Sequence, residues 1–436
     1  MQSKGMRRSR LPAVLAAMAL AVSACGSGGG SPGASKVVMI SSQFVPTTEQ
    51  EAMRKGVLAN FNGTVEFIGA DPGPFNAQIR AQQKAGKGDI SLIGGLDGDF
   101  SAFAADGLLT DLSDVATSLA DVGINKDYLK LGKLGTDKQL YIPWVQATYI
   151  MVARTEALTY LPAGADIKKL TWDQLTEWGA NIKAKTGEPK LGFPAGELGL
   201  LHRFFQGYAY PSFTGGVNTT FTGDAANKMW TWMQKTWQYV NPQSTTYGFM
   251  QEPLQSGEVW VAWDHVARLI DALKDPKAFV AFPVPSGPKG KAFMPVVVGL
   301  AIPTTSSNVA GAKELIKYLL QPKTQAATLT SVSFFPVIGA GLPGDLSPGL
   351  KAEADAVAAQ QSAGDALPAL LPVGLGDQGG AYNKVFQDAF QQIVIGGKDP
   401  ATVLKSLVPT LQGVFTTSKA PCWLPDPPSQ GPCQVQ

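Results

Sequence analysis

Histidine is nearly missing from this chain. Only His202 and His265 occur among its 436 residues, which argues against a histidine-activated nucleophile and against a multi-histidine metal site. No strand-like run is followed by Gly-x-Ser-x-Gly or Gly-x-Gly-x-x-Gly, and His-Glu-x-x-His does not occur. Asp97-Gly98-Asp99 begins like a calcium loop but lacks the downstream ligands. Nothing here reads as catalysis, and no cofactor or metal is implied. Charge is scarce too, at 16% of residues, and the net value is only +2. Four of the cations lie in the first 24 residues, and without that segment the balance becomes −2. No electrostatic pull toward nucleic acid remains. The N-terminal apolar run, Leu11 to Val22, is shorter than the ~20 residues that cross a bilayer.

What is present begins with a targeting segment. Lys4, Arg7, Arg8 and Arg10 precede that apolar run, and small residues lead to Cys25, so residues 1–24 read as a signal peptide. Val22-Ser23-Ala24-Cys25 resembles the bacterial lipobox, which implies lipid on Cys25 and anchoring at the outer face of the cytoplasmic membrane. Arg7-Arg8 leaves both general and twin-arginine export open. Residues 25–35, rich in glycine and serine, form a flexible tether. The other two cysteines, Cys422 and Cys433, flank a proline-rich stretch with no histidine cluster nearby. A disulfide is expected there, pinning a tail over 421–436.

Between these ends, short β-branched runs alternate with helical periodicity, an α/β pattern long enough for two domains. Strands are expected at Val37–Ile40, Thr64–Ile68 and Asp89–Ile93, the last closed by Gly94-Gly95. Helices fall near 48–61 and 75–85. This order gives a parallel sheet whose crevice lies beyond the strands' carboxyl ends. Thr171 and Gln174 form a capping box, with Trp172, Leu175, Trp178 and Ile182 on one face of the helix. A second amphipathic helix covers 224–239. Its tryptophans, like these, are assigned to core. Further strands are expected at Val259–Trp263, Phe279–Phe282 and Pro295–Ile302, a helix at 310–320, and a linker between lobes at 283–291.

Several stretches resemble the solute-binding proteins of ABC importers, in the branch of maltose-binding protein. They are Lys87-Gly88-Asp89-Ile90-Ser91-Leu92-Ile93, Gly107-Leu108-Leu109-Thr110-Asp111-Leu112, Leu140-Tyr141-Ile142-Pro143-Trp144, Thr171-Trp172-Asp173-Gln174-Leu175 and Ser256-Gly257-Glu258-Val259-Trp260. The resemblance continues through Val298-Gly299-Leu300-Ala301-Ile302-Pro303. It implies the type II two-lobe periplasmic-binding-protein-like fold, with a hinge and an inter-lobe cleft. An N-terminal lobe is expected over 36–144 plus 293–342, and a C-terminal lobe over 145–292 plus 343–420. It also implies a monomer that binds a small molecule, a sugar or polyol, and delivers it to ABC permease subunits.

Carried over residue by residue, the resemblance implies ligand contacts from Asp97, Asp99, Gln43, Phe44, Trp144, Gln146, Glu197, His202, Trp263, Asp264 and Tyr382, with Asp377 and Gln378 near the last. Ala147 stands where a maltose site has a carboxylate, which speaks against maltose itself. Asp99 has a second reading as a helix cap, Asp264 as a salt-bridge partner of Arg268, and Trp144 as hinge packing. A phosphate site would want clustered Arg or Lys, and arginines are sparse near these loops, which favours a neutral ligand. The alternatives are the same fold binding a glycerophosphodiester or peptide, an extracellular glycan-acting hydrolase, and an interaction scaffold.

Overall fold

The structure, a computed structural model, describes residues 36–339 and 342–436. The signal peptide, tether and Cys25 lie outside the described residues. Twelve strands among them are β1 (Val37–Ser41), β2 (Val65–Gly69), β3 (Ile90–Leu96), β4 (Ile142–Ala147), β5 (Tyr149–Arg154), β6 (Leu191–Gly192), β7 (Val261–His265), β8 (Phe279–Phe282), β9 (Lys291–Phe293), β10 (Val296–Ala301), β11 (Phe335–Pro336) and β12 (Ala366–Pro368). They form a six-stranded sheet ordered β11-β4-β10-β3-β1-β2, a four-stranded sheet ordered β6-β7-β5-β8, and the pair β12-β9.

β1 pairs in parallel with both β2 and β3, while β10 runs antiparallel between β3 and β4. Buried Val37, Met39, Leu92 and Val298 stabilise this sheet by removing apolar surface from water. Gly94 and Gly95 do not close β3. They lie inside it, where a side chain on Gly95 would crowd Asp99 at 3.1 Å. A methyl on Gly299 of β10 would meet the ring of Tyr141 at 2.3 Å, so Tyr141 lies flat across the sheet, stacked on Phe100 at 4.8 Å.

The chain passes from the larger sheet to the smaller through a single residue, Thr148, between β4 and β5. The return lies between β9 and β10. Residues 283–291, expected to cross, instead stay with the smaller sheet. Ser286 N donates to Leu170 O, and Gly287 turns back on Gly290. β7 runs two residues later than expected because its antiparallel partner β5 reaches Tyr149, opposite His265. Asp264 and His265 are therefore strand residues.

The capping box at Thr171 and Gln174 is present, and Trp172, Leu175, Trp178 and Ile182 are buried. Trp230 and Met233 of the helix Asp224–Trp237 are buried as well. Cys422 and Cys433 are bonded to each other. A second tie holds the same tail. The buried carboxylate of Asp426 accepts from the amides of Val217, Asn218 and Thr219, from Asn218 Nδ2, and from the Thr219 hydroxyl at 2.6 Å.

Candidate functional site

β1 and β3 are parallel neighbours, so the segments leaving their carboxyl ends emerge side by side. Those segments supply Ser42, Gln43, Leu96, Gly98 and Asp99 to one wall of a cavity of about 290 Å3. Arg203 and the run from Leu371 to Asn383 supply the other. Such a crevice is where parallel α/β sheets bind ligands.

Asp99 faces this cavity as the third residue of the helix Asp97–Ala105. Its Oδ2 accepts from Leu96 N at 3.0 Å and from the Ser42 hydroxyl at 2.9 Å. Asp99 is thus a helix cap whose carboxylate also faces the cavity. Burial pushes its pKa up against these hydrogen bonds. Gln43 lines the cavity, its amide donating to Ser42 O. Asp97 points elsewhere. It is 6% exposed, does not line the cavity, and accepts from the Tyr141 hydroxyl at 2.9 Å. Burial raises its pKa to about 6, with the Tyr141 and Ser101 hydrogen bonds opposing and Asp99 adding to the rise.

Most of the expected aromatics form a seam instead of lining the cavity. Trp144 meets Phe44 at 5.5 Å, Phe44 meets Phe334 at 4.7 Å, and Phe334 meets His265 at 5.7 Å. His265 abuts Tyr149 at 5.1 Å, which lies parallel to Trp263 at 4.7 Å. The first three rings belong to the larger sheet's side and the last three to the smaller sheet. Phe44 adopts a left-handed backbone conformation (φ 59°), unusual for a bulky residue. The buried Nε1 atoms of Trp144 and Trp263 have no hydrogen-bond partner.

The remaining candidates separate. Gln146 is used structurally, accepting from the Tyr128 hydroxyl and donating to Pro336 O. Asp264 is fully buried, accepts from the amides of Met250 and His265, and lies 3.9 Å from Arg268. Burial outweighs the arginine and pushes its pKa to about 7. Glu197 and His202 line a different cavity, of about 500 Å3, with Phe205 and Gln387. Burial first, then Arg203 and Arg268, holds His202 down to about 3, so it is neutral. Tyr382 is buried and donates to Asn218 Oδ1. Of its neighbours, Asp377 reaches the first cavity and Gln378 does not line it.

Sequence reasoning missed Arg203, Asn76 and Asn383. Arg203 stands next to His202 in sequence, and one helical step sends the two into different cavities. Among the described residues, no cluster of His, Cys, Asp or Glu could hold a metal, and no helix is long and apolar enough to cross a membrane.

Solved structures share this architecture. Maltose-bound MalE3 of T. maritima superposes with a TM-score of 0.69 at 18% identity, over 88% of this chain and 99% of that one. The GacH receptor of Streptomyces glaucescens gives 0.67 at 17%, and UgpB of Mycobacterium tuberculosis in complex with glycerophosphocholine gives 0.67 at 17%, each over the same shares of the two chains. These likenesses identify the two-lobe periplasmic-binding-protein-like fold of maltose-binding-protein homologues. No curated protein matches by sequence. The family model of bacterial extracellular solute-binding proteins matches residues 46–326, so that β1–β10 bracket nearly the whole match, and to that family the chain belongs.

Proposed function

We propose that this chain captures a sugar or polyol between its two lobes and hands it unaltered to the transmembrane subunits of an ABC importer. In this reading it is a monomeric lipoprotein, held at the outer face of the cytoplasmic membrane through Cys25. The larger and smaller sheets are the cores of the two lobes, divided near residues 144, 292 and 342.

The observation that carries the reading is the cavity whose walls come from both sides. Ser42, Gln43 and Asp99 stand on one, and Arg203 and Asn383 on the other. A solute touching both stabilises the closed arrangement, because only that arrangement offers all the contacts. Hydroxyl groups suit a carboxylate and amides as partners. Relatives crystallised with maltose and with acarbose support the choice of a sugar.

A thermal-shift screen of residues 36–436 against sugars and polyols tests this. A ligand at 100 times its dissociation constant raises stability by ~2.7 kcal/mol. Hydrolysis of an offered glycoside, or silence across the whole screen, would remove the reading.

A further inference from the structure

Arg203 is a cation without a counter-ion. Its guanidinium makes one hydrogen bond to protein, to Gln206 Oε1 at 3.5 Å, and forms no ion pair among the described residues. Gln206 is itself held by Asn383, which shares the cavity wall. Other arginines differ: Arg80 pairs with Asp106, Arg154 with Glu156, and Arg268 with Asp264. Arg54 also lacks a carboxylate, but it is exposed and bonds to Gln50 Oε1 and Phe67 O.

Exposure does not explain the difference. Arg203 is half-buried, as paired Arg154 and Arg268 also are, and burial lowers its pKa, with the Tyr149 and Tyr382 hydroxyls opposing. A guanidinium stays charged and carries five N–H donors in a planar fork, and leaving it half-buried and unpaired costs part of its hydration without a counter-charge. Neither acid on the cavity walls supplies the missing charge. Asp99 and Asp377 form no ion pair with Arg203 and are not among the groups that act on its charge, and Asp377 is exposed. The neighbouring groups add none either, since Tyr149 and His202 are both neutral.

We propose that the bound solute carries an anionic group, a carboxylate or a phosphate, which docks on Arg203 while its hydroxyls meet Asp99, Gln43 and Asn383. This rests on the reading of the cavity as the solute site. It replaces the neutral ligand expected from sequence, where Arg203 stood apart from the loops considered. A planar fork matches two oxygens of either anion at once, so lysine would be a poor substitute.

Matched probes at constant ionic strength test it: galactose against galacturonate, and glycerol against glycerol 3-phosphate, each with the wild type, Arg203→Gln and Arg203→Lys. The anionic member of at least one pair should bind roughly tenfold or more tighter than its neutral partner, and both variants should abolish that preference. Which pair responds tells a carboxylate from a phosphate. Galactose or glycerol binding as well as its acid, or a preference that survives in Arg203→Gln, overturns the anionic group and leaves solute capture standing. No binding of any probe to any form counts against both. A readout free of ligand choice accompanies these. Ligand-free Arg203→Gln should melt above the wild type, because an unpaired, half-buried charge is gone, and a lower melting temperature makes Arg203 structural and ends the proposal.

Discussion

The Thr148 hydroxyl donates to the Met294 carbonyl at 2.9 Å, joining the passage between β4 and β5 to the one between β9 and β10. Thr148 Oγ1 also lies 3.0 Å from the Tyr208 hydroxyl, which in turn accepts from Tyr149 N. The crossings are thus tied to each other and to the smaller sheet. Thr148→Val keeps the shape and strands the Met294 carbonyl. Such a loss costs about 1–3 kcal/mol, to be read from the urea midpoint, and an unchanged midpoint would make the tie idle.

Asp97 and Asp99 give opposite expectations although two residues apart. Asp99→Asn removes the carboxylate that lines the cavity and should weaken solute binding roughly tenfold. Asp97→Asn leaves an acceptor for Tyr141 and should leave affinity within about threefold. Calorimetry on both variants separates them, and the reverse order would place the ligand against Tyr141 instead.

Asp264 should make stability fall as pH rises. Its folded pKa is pushed up to about 7, against about 3.9 in an unfolded chain. Between those values the folded state keeps a proton that the unfolded state has released, so the stabilisation is complete below the window and lost above it. His202 and His265, both held near 3, work the other way below pH 6.5, but are common to wild type and Asp264→Asn. The variant should therefore gain on the wild type by on the order of 4 kcal/mol between pH 4 and pH 8. Denaturant titrations at both pH values check this, and parallel curves refute it.

The tail offers a comparison of two fasteners. Asp426→Ala strips the acceptor from five donors, three of them buried, and should cost about 3–5 kcal/mol. Replacing Cys422 and Cys433 by serine opens a short loop and should cost ~3 kcal/mol or less. Calorimetric melting of each variant ranks them, and a larger loss from the serines would reverse the assignment.

The β-α-β-α-β opening and the capped helix at Thr171 were legible because each is fixed by local periodicity or a capping pair. Gly94 and Gly95 misled, since local rules read paired glycines as a turn, whereas here the close approach of Ser41 to the first and of Asp99 to the second requires them in mid-strand. The site was legible only to the level of loops. Asp99 and Gln43 reach the cavity, but Asp97, one helical position from Gly98, turns into the sheet toward Tyr141. Arg203 was beyond reach because its importance lies in a partner it lacks, and the absence of a carboxylate is a fact of three dimensions.

The bracket formed by Asp426 spans over two hundred positions, with Thr219 at 207 and Val217 at 209. Its acceptor is made some two hundred residues after the loop it clasps. While synthesis proceeds, the amides of 217–219 have only water to satisfy them until Asp426 emerges. The two segments are closed onto each other by a contact that no local fragment of the chain can make.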